Sequence, residues 1–323
     1  LSLVPEEPTP QGGGSGAGRA FSQRNYGMGQ FGDLFTARQL LALTTLARLV
    51  VQAGKQVRRR EEEGFAEAVQ TVLASAVSRI ADRSSALCTW RPQADQEKVE
   101  HVFTRQALPM TWDFAEGIPL SGGTAGWSDA YEPPAKLIES VCFLAPNHGH
   151  VEKCSADQHV LPDDAIQAFV TDPPYYDAVP YSDLSDFFYI WLKRALPSYA
   201  SDELTPKADE CIVDEVKGKD KAYFERTMAK AMAEGRRILA PSGIGVVVFA
   251  HKSTSGWEAQ LQAMCDAGWT VTGSWPIDTE MGNRLRAMDS AALASSVHIV
   301  VRSRENPDGS LRTADIGDWR DVL

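Results

Sequence analysis

The segment Gly243-Ile244-Gly245-Val246-Val247-Val248-Phe249-Ala250 carries no charge and is apolar at odd and even positions alike. A short run of that kind reads as a central parallel strand, which needs cover on both faces. The neighbouring sequence agrees. Ile166 to Thr171, Trp269 to Trp275 and Ser296 to Arg302 are further apolar strands, the last one apolar at Val297, Ile299, Val300 and Val301. Between and around them, Ala135 to Phe143, Ser182 to Leu196, Lys219 to Leu239 and Trp257 to Ala267 have helical character, with Gly268 as a stop. Strands alternating with helices predict an α/β fold, a layered sheet with helices on both faces.

The amino-terminal part reads differently. Residues 1–30 hold Pro5, Pro8, Pro10 and the run Gly12-Gly13-Gly14-Ser15-Gly16, the composition of a flexible linker. Residues 31–100 predict a helical pair. Thr36 can cap a first helix with Leu40, Leu43, Leu46 and Val50 on one face and Gly54 as its end. A second helix would present Phe65, Val69, Val72, Ala76 and Ile80. The Arg58-Arg59-Arg60-Glu61-Glu62-Glu63 run between them cancels its own field and reads as solvated surface. Val102-Phe103 could start a strand, and Trp112, Phe114 and Trp127 read as core or pocket walls. Leu120 to Gly126 is a glycine-rich loop, but a phosphate cradle requires a buried strand before it and a helix after it. Pro241 to Gly245 precedes a strand and reads as a turn.

Composition removes several function classes. With 43% apolar and 23% charged residues in 323, the chain is not a disordered one. No stretch of about 18 uncharged apolar residues could cross a membrane. Five cysteines, odd in number and scattered, fit a reducing compartment, and no secretory leader opens the sequence, so a cytoplasmic location is expected. Lys plus Arg number 32 against 43 Asp plus Glu, a net charge of −11. Such a chain gains no global attraction to nucleic acid, so any DNA contact must rest on a local site.

The densest chemistry sits in Asp172-Pro173-Pro174-Tyr175, directly after the Ile166–Thr171 strand, at the end where open α/β sheets place ligands. Two prolines remove two N–H donors and fix φ near −65°. Their carbonyls become outward acceptors beside a carboxylate and an aromatic ring. The cluster suits a planar group bearing an amine. It is also open to a plainer reading, a strand-end turn with Asp172 as a cap and Tyr175 as rim packing.

The tetrapeptide resembles the catalytic motif of amino-group DNA methyltransferases, in its Asp-first, adenine-associated form. Phe169-Val170-Thr171-Asp172-Pro173-Pro174-Tyr175-Tyr176-Asp177 followed by Tyr181-Ser182-Asp183-Leu184-Ser185-Asp186-Phe187-Phe188-Tyr189 is similar to the large adenine-specific DNA methylases that carry a zinc ribbon. Phe31 to Thr36 with Arg38-Gln39-Leu40, and Arg105 to Met110 with Trp112 to Glu116, are further similar blocks, so the resemblance spans most of residues 27 to 305. It implies an incomplete Rossmann-like, S-adenosylmethionine-dependent methyltransferase sheet with the helical pair added at the amino end. Residues 101–305 would be the carboxyl-terminal part of that domain and 306–323 a tail.

An aromatic amine is a poor nucleophile because its lone pair is delocalised. Acceptors on its two hydrogens draw the nitrogen toward tetrahedral geometry. By the resemblance, Asp172 and the Pro173 carbonyl are those acceptors, Pro174 belongs to the same catalytic turn, and Tyr175 stacks on a base flipped out of the duplex. Tyr176 and Tyr181 would join in binding the substrate DNA. Asp172, Phe35, Thr36 and Glu116 would contact the cofactor S-adenosylmethionine, with Phe35 and Thr36 near its methionine end and Glu116 or Asp113 on a ribose hydroxyl. Thr36 as a helix cap and the two carboxylates as loop surface are the plainer readings. The glycine-rich cofactor loop of the family has no counterpart in the sequence. The chain is therefore expected to be the carboxyl-terminal part of a longer enzyme, with an upstream segment or a partner supplying that loop. A restriction-modification role follows from the resemblance alone.

Cys142, His148, His150 and Cys154 lie close in sequence but lack the Cys-x-x-Cys spacing zinc favours, so no metal is expected. His251 follows the central strand and is a further candidate for the site. Two rival functions stay open. One is methylation of an RNA or protein amide amine, and the other is a catalytically silent nucleic-acid or protein interaction module.

Overall fold

The computed structural model describes residues 2–13, 20–92, 97–141, 149–176, 179–197, 202–250, 254–278, 295–305, 308 and 310. The chain forms two compact units. The first is Leu1–Gly149 with Pro180–Glu210, and the second is His150–Val179 with Cys211–Leu323. The helix after the Asp-Pro-Pro-Tyr turn joins the first unit.

The first unit is helical. Helix α1 (Ala37–Val57) starts where expected, at Thr36, whose side chain accepts from the Gln39 amide while Gln39 returns a bond to the Thr36 amide. It does not end at Gly54. That glycine is buried inside the helix, where a Cβ would collide with the Gln70 amide of α2 (Glu63–Ala81). The buried row of α2 is Ala66, Gln70, Ala74 and Val77, while Phe65 is exposed. Small residues let α2 lie close to α1; of the row expected from spacing, Ala76 and Ile80 are buried, Val69 and Val72 half-buried and only Phe65 exposed. Two short strands, β1 (Trp90–Arg91) and β2 (Lys98–Val99), pair antiparallel. Val102 to Thr104 is a 3-10 turn and not a strand, with Phe103 packed edge-on to Phe187 at 5.2 Å.

Trp112 is 76% exposed and Phe114 is exposed too, so neither walls a core. Trp112 meets Tyr26 edge-to-face at 5.5 Å. Helix α3 (Trp127–Val141) begins well before the expected Ala135 and directly follows the glycine-rich loop. It runs through Pro133 and Pro134, whose missing N–H groups leave the Asp129 and Ala130 carbonyls without helical donors. Helix α4 (Tyr181–Ala195) closes the unit.

The linker reading of residues 1–30 is overturned for its described part. Glu7, Thr9 and Gln23 are buried. Backbone bonds run from Phe31 N to Glu7 O (2.9 Å), Gly32 N to Pro5 O (2.7 Å) and Thr9 N to Gly29 O (3.0 Å). Glu7 is gripped by Lys193 Nζ at 2.5 Å and by both terminal nitrogens of Arg194 at 3.0 Å. Arg194 also donates to the Ser2, Leu3, Val4 and Ile190 carbonyls. Buried charge pairing therefore holds a segment whose proline and glycine content gives no hint of it.

The second unit is a mixed α/β layer. Strands β3 (Ile166–Thr171), β4 (Leu239–Phe249), β5 (Trp269–Asp278) and β6 (Ser295–Ser303) lie in the order β3-β4-β6-β5. The β3–β4 pair is parallel and the other two pairs are antiparallel. Pro241 to Gly243 lie within β4 as an irregularity facing Ile166–Ala168, and not in a turn before it. Helices α5 (Lys221–Ile238) and α6 (Thr254–Asp266) cover one face. Phe224, Met228 and Met232 of α5 and Ala263 and Met264 of α6 pack with Val247, Phe249, Ile299 and Val301 of the sheet. Cover on both faces, as the central strand suggested, is not found among the described residues. β3 is an edge strand with Val170 71% exposed. No described helix is long and apolar enough to cross a membrane.

Candidate functional site

β3 ends at Thr171 and delivers Asp172 to Tyr176 at the carboxyl end of the parallel pair. Pro173 is buried and Asp172 is exposed, while Pro174, Tyr175 and Tyr176 are half-buried. The corner is thus anchored at one proline and open at the carboxylate. The Tyr175 ring stands edge-on to Phe249, the last residue of β4, at 5.6 Å. Phe249 is itself edge-on to Trp257 of α6 at 5.1 Å. The Tyr175 hydroxyl donates to Asp172 Oδ1 at 2.6 Å.

Tyr176 adopts φ of 59°, a left-handed conformation that costs energy for a residue with a Cβ. The surroundings hold it there. Its ring lies edge-on to Phe224 of α5 at 5.2 Å, and its carbonyl accepts from Val213 N at 3.0 Å.

The site offers acceptors and aromatic faces. A carboxylate and the proline carbonyls stand beside a phenol ring, and no cationic side chain belongs to the turn. This donor set fits a group that brings hydrogens or positive charge, an amine or a sulfonium, better than it fits an anion.

The other residues singled out by sequence belong to the first unit. Phe35 is 6% exposed, stacked on Phe187 at 5.7 Å and edge-on to Trp191 at 5.2 Å. Its ring is core. Thr36 and Glu116 are brought together: Thr36 Oγ1 donates to Glu116 Oε1 at 2.7 Å. Arg38 donates to Glu116 Oε2 at 3.1 Å and 2.7 Å. The hydrogen bonds from Thr36 and Arg38 hold the Glu116 carboxyl below its ordinary range. Glu116 thus fastens the start of α1, and both its oxygens are engaged. Asp113 is exposed. Tyr181 opens α4 and is exposed, in a different unit from Asp172.

Among the described residues no group of three or more potential metal ligands forms. His150 pairs with Glu152 at 3.1 Å and Cys154 is exposed. Cys142, His148, Asp177 and His251 lie outside the described residues.

Sequence reasoning missed a polar cluster at the opposite end of the second unit's sheet. A cavity of about 410 Å³ there is lined in part by Asp163, Arg236, Arg237 and Arg304. Arg237 binds Asp163 at 2.6 Å, Glu234 at 2.7 Å and the His159 and Leu161 carbonyls. Hydrogen bonding from Arg237 takes the Glu234 carboxyl down to about 2. The Glu234–Arg237 spacing is that of an ordinary helix-surface pair, so no sequence signal marks the cluster.

No family model matches the chain, and no curated protein matches it.

Proposed function

We propose that the chain takes part in S-adenosylmethionine-dependent methylation of an exocyclic amine of DNA, adenine N6 above all. The observation that carries this reading is the Asp172-Pro173-Pro174-Tyr175 turn at the carboxyl end of β3, with its carboxylate exposed and its phenol ring backed by Phe249. The sheet order is compatible with an incomplete Rossmann-like sheet, in which ligands sit at that end of the strands.

The protein's own residues would act in order. Tyr175 offers a ring face to a base that has left its stack. Asp172 and the Pro173 carbonyl accept the two amine hydrogens, which localises the nitrogen lone pair. The nitrogen then forms its bond to the incoming methyl carbon as the donor's sulfur–carbon bond breaks. The added positive charge on nitrogen is relieved by loss of one hydrogen as a proton, and Asp172 stabilises that charge while it lasts. S-adenosylmethionine, when bound, would supply the methyl group from its sulfonium, the neutral thioether being the leaving group. The acceptor-only turn fits such a cation, while the glycine-rich cradle has to come from a further segment. Positioning and charge placement supply most of the acceleration.

The test is transfer of labelled methyl groups from S-adenosylmethionine to adenine-containing DNA, with a glycine-loop segment of the family supplied in the assay. Asp172→Ala should lower transfer by at least about a hundredfold while leaving the fold intact. Equal transfer by wild type and variant overturns the mechanism. Label on RNA or on protein in place of DNA selects the rival amine substrates.

A further inference from the structure

Helix α1 is cationic in an acidic chain. At the average of 43 Asp and Glu in 323 residues, a 21-residue helix would hold about three, yet Ala37–Val57 has none. Its cations are Arg38, Arg48 and Lys55, and Arg58-Arg59-Arg60 follow at once. Two of these are engaged, Arg38 by Glu116 and Arg58 by Glu63 and Gln70. Arg60 precedes Glu61 and Glu62 directly. Arg48, Lys55 and Arg59 are exposed and have no ion-pair partner among the described residues. Arg48, Gln52 and Lys55 fall within about 60° of one another around the helix axis. The buried row of Leu43, Leu46, Ala47, Val50 and Gly54 lies on the opposite side. Arg59 carries the line into the turn beyond, its amide donating to Gln56 O at 3.3 Å.

The surroundings of this row do not neutralise it. A cavity of about 460 Å³ beside it, lined in part by Leu49, Ala53, Leu120 and Trp127, has no charged residue in its wall. The stretches of the first unit outside the described residues contain one carboxylate, Asp95, against three cations. Attraction to the negative end of the helix accounts for Lys55 and Arg59, but not for Arg48 in its middle.

We infer that Arg48, Lys55 and Arg59 form a contact for the phosphate backbone of nucleic acid. Charge complementarity is the first argument. A chain of net charge −11 repels a polyanion over most of its surface, so a row without carboxylates is where one can approach. Shape is the second. Arg48 to Arg59 spans about 16 Å along a straight element, the length of about five phosphates on one duplex strand. A linear, periodic anion matches such a row, and the Gln52 amide between the cations can donate to a phosphate oxygen as well. An anionic membrane fits less well, because the apolar row of α1 is spent inside the unit and leaves nothing to insert. The choice of DNA rests on the methylation reading: a nucleotide held at Asp172–Tyr175 brings phosphates, and that turn offers them no cation.

Fluorescence anisotropy with a labelled 20-base-pair duplex, in the absence of S-adenosylmethionine and over a salt series, tests it. The triple variant Arg48→Gln, Lys55→Gln, Arg59→Gln should bind at least about tenfold more weakly, with a salt slope shallower by about 3. Lys230→Gln, at an exposed cation of α5, should bind as the wild type does. Asp172→Ala should also bind normally, so that methyl transfer can fail while this contact stands. No binding by the wild type overturns the inference, and so does a triple variant with normal circular dichroism and an unchanged slope. Displacement of the duplex by poly-glutamate as readily as by unlabelled DNA assigns the row to an acidic protein and overturns it too. Acetylation of the wild type decides the matter if the variant fails to fold. Saturating duplex should slow the reaction at Lys55 and not at Lys230, and equal rates at Lys55 with and without DNA overturn the inference.

Discussion

The Tyr175 hydroxyl donates to Asp172 Oδ1 across 2.6 Å, so the carboxylate and the ring that the proposed chemistry uses separately are tied to each other. The bond is solvent-exposed and modest. Tyr175→Phe should cost at most about 1 kcal/mol in a denaturant titration, because the ring and its edge-on contact with Phe249 remain. Methyl transfer should survive in this variant and fall sharply in Tyr175→Ala, which removes the stacking face as well. Equal activity in both would remove the ring from the mechanism.

Glu7 gives the first unit a pH dependence. Burial alone would raise its carboxyl, but the hydrogen bonds from Arg194 and Lys193 outweigh it and bring the group below its ordinary 4.5. Because the folded state binds this proton less readily than the unfolded one, the stabilisation is complete above about 4.5 and is lost as pH falls through the lowered value. Glu7→Gln should flatten that acid limb in thermal melts followed against pH. Glu7→Ala leaves two buried cations unpaired and should cost about 3–5 kcal/mol.

Gly54 shows propensity and packing in opposition. Alanine there would gain about 1 kcal/mol of helix propensity. A Cβ, however, would meet the Gln70 amide, whose nitrogen donates to Ala195 O at 2.8 Å and whose oxygen accepts from Arg58 at 3.0 Å. That amide cannot swing away without breaking both bonds. Gly54→Ala should therefore lower stability by about 1–3 kcal/mol, and a more stable variant would show that α1 and α2 are looser than they look.

Cys88 is fully buried, and burial pushes its thiol up to about 12. In mildly alkaline buffer it should resist alkylation until the first unit unfolds, while exposed Cys154 and Cys265 react at once. Mass spectrometry of the alkylated peptides reads this directly.

Local signals were legible and non-local ones were not. The Thr36 cap and the even apolar runs of β4 and β6 act over a few residues; α1 starts where the sequence places it and both strands form, β4 beginning earlier, at Leu239. The Asp172–Tyr175 turn falls at a strand end as its spacing implies. The linker reading failed because Glu7 is fixed by Lys193 and Arg194, far along the chain, and glycine content says nothing about such a pair. The burial of Phe35 was not legible because Phe187 and Trp191, which pack against it, lie on a helix distant in sequence. The Phe249 backing of Tyr175 and the left-handed Tyr176 were hidden for the same reason.

Residues Pro180–Glu210 leave the second unit after β3 and belong to the first, and the chain returns only at Cys211. On the ribosome, β3 therefore emerges long before β4, its pairing strand among the described residues, while α4 can already settle into the helical unit. The nascent sheet waits as an unpaired strand until synthesis has passed residue 249. Neither unit can be expressed as one uninterrupted stretch, and a premature stop inside β4 would strand β3 without a partner.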